Sequence, residues 1–311
     1  MEPPPTLSRT ETRSPASSGL DARQTLDVLT LLNDADAEVA GAVRATLPAI
    51  ARLVDLAVAS LDADGKVVYL GAGTSGRLAV LDAAELLPTF ALEPGRVVAR
   101  IAGGQRAVVD AVEGAEDSAE AGAADAADLT EHDLAIGVTA SGTTPYVRGA
   151  LDAARRAGAT TALVTSNPDT PLAALADVLV APDTGPEILT GSTRLKAGTA
   201  AKLVLNGFST ALMTRRGRVY DNLMVALLDT NEKLHQRTVR ILTTLTGLDE
   251  ERAEDTLRAC DGDLRTALVS VLAVVDPHEA RERLRRTDLD VRAALGPVRT
   301  TPHTSPRKDH R

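Results

Sequence analysis

The sequence predicts an α/β protein: a doubly wound parallel sheet with N-terminal helices before it and a small C-terminal helical domain after it. Three observations carry this. Between 66 and 182, short β-branched runs alternate with Ala-rich stretches of helical length, the pattern of right-handed βαβ crossovers. Before that region, apolar residues recur at helical spacing. After 245, short charged segments divided at Gly247, Gly262 and Pro277 replace the strand-like runs.

In chain order, residues 1–24 are rich in Pro, Ser and Thr and read as an extended N-terminal arm. Residues 25–61 place Leu26, Leu29 and Leu32, then Leu47, Ile50, Val54, Val58 and Leu61, at the spacing of two or three helices. The predicted strands are VVYL (67–70), VVARI (97–101), LAIGVT (134–139), TALVTS (161–166) and VLVAP (178–182). A long helix follows from about Thr193 to Thr214, opened by the capping-type sequence Gly191-Ser192-Thr193. Another helix is expected over 219–244, which completes a sheet domain spanning 62–244. Residues 245–296 form the small helical domain. The basic, Pro-containing stretch 297–311 reads as a disordered tail.

Composition narrows the function. The 311 residues are 44% hydrophobic but only 2% aromatic, so Ala, Leu and Val must build the core. With 34 Lys plus Arg against 43 Asp plus Glu, the net charge of −9 argues against a nucleic-acid or anionic-membrane surface. The single cysteine, Cys260, cannot form an intramolecular disulfide or a Cys-based metal cage. The five histidines (His132, His235, His278, His303 and His310) are scattered, so no metal site is expected. The N-terminus lacks a signal-peptide pattern, and no apolar stretch approaches the ~20 residues of a membrane span. A cytoplasmic protein is expected.

Two loops could hold a phosphate. The first strand runs into Gly71-Ala72-Gly73-Thr74-Ser75-Gly76, formally the dinucleotide fingerprint. The acidic residue that should end the second strand is missing, because VVARI leads into Ala102-Gly103-Gly104. Thr74 and Ser75 instead put hydroxyls beside the free N–H groups of a helix start, a setting for one compact phosphate. The third strand repeats the arrangement in Ala140-Ser141-Gly142-Thr143-Thr144-Pro145. Either loop alone reads as an ordinary helix cap. Two of them at the carboxyl ends of parallel strands point to a ligand.

The strings LGAGTSGRLAVLDAAELLPTF (70–90), AVEGAEDS (111–118), ASGTTPYVRGAL (140–151) and TGSTRLKAGTAAKLVLN (190–206) closely resemble the N-acetylmuramic acid 6-phosphate etherases. TETRSPAS (10–17) and NLMVALLDTNEKL (222–234) do so as well, and the likeness extends from Thr10 to about Leu242. The resemblance implies a sugar isomerase (SIS) fold, similar also to the glucokinase regulatory protein. It implies cleavage of the D-lactyl ether of N-acetylmuramic acid 6-phosphate to N-acetylglucosamine 6-phosphate and D-lactate, in cell-wall amino-sugar recycling. It implies no cofactor and no metal, a sugar-phosphate ligand, and a homodimer whose sites are completed across the subunit boundary. The few bulky charges at 197–213 suggest an apolar face for that packing.

By the same resemblance, Glu85 is the acid that protonates the leaving ether oxygen and Glu116 the base at C2. Gly73, Thr74, Ser75, Ser141, Thr143 and Thr144 hold the phosphate. On a helical wheel Glu85 falls between Leu78 and Leu81, where desolvation would raise its pKa; without the resemblance, the plainer reading is a surface glutamate at a helix end. Glu116, in an acidic run with Glu113, Asp117 and Glu120, reads as part of a solvated face, and only the resemblance selects it. Lys196 at a helix N-terminus is either partnered by a ligand or carboxylate or faces solvent. His235 is either a substrate contact from a neighbouring subunit or a helix-surface residue. The family pattern has Asn at Ser14, Cys-Pro at Leu87-Pro88 and Arg at Thr143, so the phosphate loop here lacks that cation. A non-catalytic sugar-phosphate regulator, an aldose–ketose isomerase and a dinucleotide-dependent oxidoreductase remain as alternatives. The stretch 247–273 resembles a ubiquitin-associated-type three-helix module.

Overall fold

The structure, a computed structural model, describes residues 8–226 and 232–296. The arm is wound into single 3-10 turns at Arg9–Glu11, Pro15–Ser17 and Leu20–Ala22, and its first seven residues lie outside the described ones. Two helices follow, α1 (Thr25–Ala45) and α2 (Leu47–Asp62), the second opened by Pro48 in its first turn, where a missing N–H costs nothing. The chain then alternates β1 (Val67–Gly71), α3 (Gly73–Phe90), β2 (Val97–Ile101), the short α4 (Arg106–Val109), α5 (Ala119–Asp125), β3 (Leu134–Val138), α6 (Pro145–Arg156), β4 (Thr160–Val164) and β5 (Val178–Val180). Helix α7 (Lys196–Arg215) closes this part.

All five strands pair in parallel, in the order β2-β1-β3-β4-β5. Strands β1, β3 and most of β4 are buried on both faces, which explains their continuous apolar runs. Tyr146, Val147, Ala150 and Leu151 of α6 pack against Val68, Leu70, Ala135 and Leu163 on one face. On the other face Tyr69 meets Phe208 of α7 edge-on, with ring centroids 6.2 Å apart. A buried polar triangle sits beside this pair: Asp82 of α3 accepts from the Tyr69 hydroxyl and from the Ser209 hydroxyl, each at 2.9 Å. Burial pushes the Asp82 pKa up, and the two hydrogen bonds partly offset it.

The chain divides into two compact units between Arg215 and Arg216. The second unit begins with a tight hairpin of β6 (Val219–Tyr220) and β7 (Leu223–Met224), turned through Asp221 at φ +54°, where one continuous helix was expected. Helix α8 (Glu232–Thr246) follows, then α9 (Glu250–Ala259), α10 (Leu264–Ala273), α11 (Pro277–Arg286) and α12 (Val291–Leu295). The unit boundary precedes the expected 245 because α8 buries Val239, Ile241 and Leu242 among Leu257, Leu264, Leu268 and Leu284. Asp249, Asp263, Asp276 and Asp290 each cap the helix that follows. Among the described residues no helix is long and apolar enough to cross a membrane. The expected tail, 297–311, lies outside the described residues.

Candidate active site

Strand order reverses between β1 and β3, and a crevice opens beyond the carboxyl ends of strands at such a switch point. Gly71 at the end of β1 lies level with Val138 at the end of β3, so the two loops leave the sheet side by side. They line a cavity of about 390 Å³ through Gly73, Thr74 and Ser75 on one side and Ser141, Thr143 and Thr144 on the other. All six residues expected to hold a phosphate therefore share one cavity. Gly76 lets α3 approach the sheet: a Cβ there would lie 2.6 Å from Ile101 Cγ1.

Neither loop caps its helix through a side chain. Ala72 and Thr144 stand at the N-cap positions of α3 and α6 without a side-chain capping bond. The N–H groups at these helix starts, with the positive dipole ends behind them, therefore border the cavity. Inside the second loop, the Ser141 hydroxyl accepts from the Thr143 N–H at 3.2 Å and from the Thr143 hydroxyl at 3.0 Å. The Thr139 and Thr144 hydroxyls are 2.7 Å apart, and Asn167 Nδ2 donates to the Ser141 carbonyl at 3.1 Å. The loop is held in shape by its own bonds and by three side chains beneath it: Asn167, Thr165, whose hydroxyl donates to the Ala140 carbonyl at 3.1 Å, and Thr170, whose hydroxyl donates to the Gly142 carbonyl.

Glu116 sits in a 3-10 turn, Ala115–Asp117, and lines the same cavity together with Asp117. Glu85 does not. It lies ten residues beyond Ser75, about 15 Å further along the axis of α3, and it is exposed. Of the expected apolar arc around it, Leu81 is 52% exposed and Leu78 is half-buried. The inward arc of α3 runs through Gly76, Ala79, Asp82, Leu86 and Phe90. In the single chain the desolvated carboxyl of this helix is thus Asp82, not Glu85.

The start of α7 also departs from expectation. Gly191-Ser192-Thr193 does not cap it; the buried carboxylate of Glu187 accepts from the Lys196 N–H at 3.0 Å and the Ala197 N–H at 2.9 Å. Burial pushes the Glu187 pKa up, against the pull of these two backbone donors. Lys196 does not face solvent: its side chain is buried, Nζ donates to the Thr184 carbonyl at 2.6 Å, and its charge favours the ionised form of the Glu187 carboxylate. Relieved of capping, Gly191 and Thr193 line the cavity. His235 lies half-buried on α8, in the second unit. Sequence reasoning missed Glu187, Thr193, Asp117 and Glu11 as parts of this region; for Glu11 the available signal was the TETRSPAS string.

Residues 111–206 match the family model described as SIS domain, and residues 49–155 match that of the glucokinase regulatory protein N-terminal SIS domain. A phosphoheptose isomerase from Francisella tularensis shares the fold, with a TM-score of 0.51 and 20% identity over 62% of this chain and 100% of that one. Sheet order, crevice and family models together define an SIS-domain protein. The N-acetylmuramic acid 6-phosphate etherase of Thermobifida fusca (strain YX) is 54% identical over 263 residues, covering 85% of this chain and 86% of that protein. The namesake from Serratia proteamaculans (strain 568) is 51% identical over 265 residues, covering 85% and 89%. The chain belongs to the N-acetylmuramic acid 6-phosphate etherase family.

Proposed function

We propose that this protein is a carbon–oxygen lyase that cleaves the D-lactyl ether of N-acetylmuramic acid 6-phosphate, in amino-sugar and cell-wall recycling. The observation that carries the reading is the single cavity into which both hydroxyl and N–H loops and Glu116 open. The loops are suited to the 6-phosphate, with Gly73, Thr74, Ser75, Ser141, Thr143 and Thr144 around it. In the ring-opened sugar, the C1 aldehyde acidifies the C2 proton. Glu116 takes that proton, the electron pair forms the C2–C3 double bond, and the ether oxygen leaves C3 as lactate, protonated by Glu85. Water then adds to C3, activated by the Glu85 carboxylate, and the proton held by Glu116 returns to C2. The products are N-acetylglucosamine 6-phosphate and D-lactate.

Because Glu85 lies outside the cavity of its own chain, this mechanism needs a second copy, and we infer a homodimer in which Glu85 is supplied across the interface. Outward-facing Leu81, one turn before Glu85 on the same face of α3, supports that placement, since burying it would also desolvate the carboxyl and suit it to act as an acid. The α7 face expected to serve the interface instead packs on α1, α2 and α3 of its own chain. The same reading places the enzyme in the cytoplasm, with which the buried free thiol of Cys260 agrees. Incubation with N-acetylmuramic acid 6-phosphate should release D-lactate. A ketose product without lactate would indicate an isomerase instead, and binding without turnover a regulator.

A further inference from the structure

Residues of the N-terminal arm are fastened to the segment that precedes α7. Thr10 is fully buried, and its carbonyl accepts from the Gly191 N–H at 3.2 Å. Arg9 pairs with Asp183 and, at 3.5 Å, with Asp169. Between these ties Glu11 lines the cavity shared by Glu116 and the two loops. Its carboxylate has no hydrogen bond or ion pair with any described residue. The carboxylate also occupies space that only glycine leaves: a Cβ on Gly191, whose φ is +75°, would lie 2.9 Å from Glu11 Oε2. Among the described residues that line this cavity none is basic, and the carboxylates are Glu11, Glu116 and Asp117.

We propose that Glu11 is a further substrate-contacting residue, which accepts hydrogen bonds from hydroxyl or amide N–H groups of the sugar and so sets specificity for the sugar rather than the phosphate. The proposal rests on the sugar-phosphate reading above. An ionised carboxylate can only accept, so it suits the donor-bearing edge of a sugar and repels a phosphate. The loops have the opposite character, hydroxyl and N–H donors that favour the anion. A sugar phosphate laid across the cavity with its phosphate at the loops and its hydroxyls at Glu11 satisfies both walls.

The test uses the full-length Glu11→Ala and Glu11→Gln variants, with N-acetylmuramic acid 6-phosphate as substrate and inorganic phosphate as competitive inhibitor. Glu11→Ala should raise KM by at least about 10-fold, the loss of one charge-assisted hydrogen bond. Phosphate should inhibit both variants as well as the parent or better, since a repelling charge is gone. Glu11→Gln, which keeps an acceptor oxygen and the arm's packing, should fall between and carries the comparison if the alanine variant does not fold. An unchanged KM overturns the proposal. So does a parallel weakening of substrate and phosphate, which would make the arm a structural wall only. If the parent itself releases no D-lactate, the functional reading fails separately. Calorimetric titration with the sugar phosphate and with phosphate then reads the same contrast at Glu11 as dissociation constants.

Discussion

Asp82 and Glu85 stand three residues apart on one helix and meet opposite surroundings. Asp82 is enclosed by the Tyr69 and Ser209 hydroxyls, while Glu85 and Leu81 face outward. A helical wheel registers apolar residues in both directions on α3 and cannot tell which arc meets the protein's own sheet. At the loops, by contrast, Gly, Ser and Thr marked in the sequence the turns that line the cavity. In the proposed binding mode Ser75 and Ser141, which line the cavity, donate to the phosphate dianion, each such bond being worth about 1.5–3 kcal/mol. Ser75→Ala and Ser141→Ala should each raise KM for the sugar phosphate roughly 10-fold or more with the fold retained, as steady-state kinetics and circular dichroism would show. Unchanged KM in both variants would place the phosphate elsewhere.

At the scale of elements, the spacing between Glu116 and the second loop depends on two glycines. Helix α5 begins just after the Glu116 turn, and α6 begins just after the loop. The two helices touch where Gly122 faces the Tyr146 carbonyl and Gly149 faces the Ala119 carbonyl, and a Cβ at either would fall within 1.9 Å of that oxygen. Gly149→Ala should therefore force the helices apart, with an overpacking cost of roughly 1–3 kcal/mol. Because the Glu116 turn moves with α5, kcat should fall more than KM rises. Gly41 provides the opposite case: it is exposed within α1, and nothing lies within 4 Å of the added Cβ. Gly41→Ala should stabilise by about 0.5–1 kcal/mol through helix propensity. Thermal unfolding of the two variants should thus shift in opposite directions, and a neutral Gly149→Ala would show that α5 and α6 part without strain.

For the whole molecule, the separation of Glu85 from the cavity of its own chain makes a prediction about assembly. Glu85→Gln alone and Glu116→Gln alone should each lose at least about 100-fold in lactate release, as expected on removing a general acid or base. Glu116→Gln should also abolish solvent-deuterium exchange at C2. If Glu85 acts across the interface, mixing the two dead proteins should restore activity. A mixed dimer then holds one site with both carboxylates intact and one with neither, and a statistical mixture should reach about one quarter of the parent rate. A mixture that stays inactive despite verified subunit exchange would show that both carboxylates must come from one chain.

By itself the sequence determined the parallel α/β sheet, the two loops beyond its strands and the family, because these follow from local patterns. Alternating β-branched runs such as VVYL and LAIGVT fix strands whatever lies beside them, and Gly, Ser and Thr after a strand mark a turn into a helix. The choice of Glu116 came from the motif, since its acidic run carries no periodic signal. Tertiary structure alone decided which face of α3 is inside, that a glutamate nine residues upstream caps α7 at Lys196, and that Glu11 reaches the same cavity as Ser141. It also decided that the chain from Val219 starts as a hairpin and that α8 joins the second unit. The physical reason is common to all of these. Each depends on a partner distant in sequence, and a buried carboxylate, a capped helix end or an apolar arc is defined only by what the folded chain brings against it.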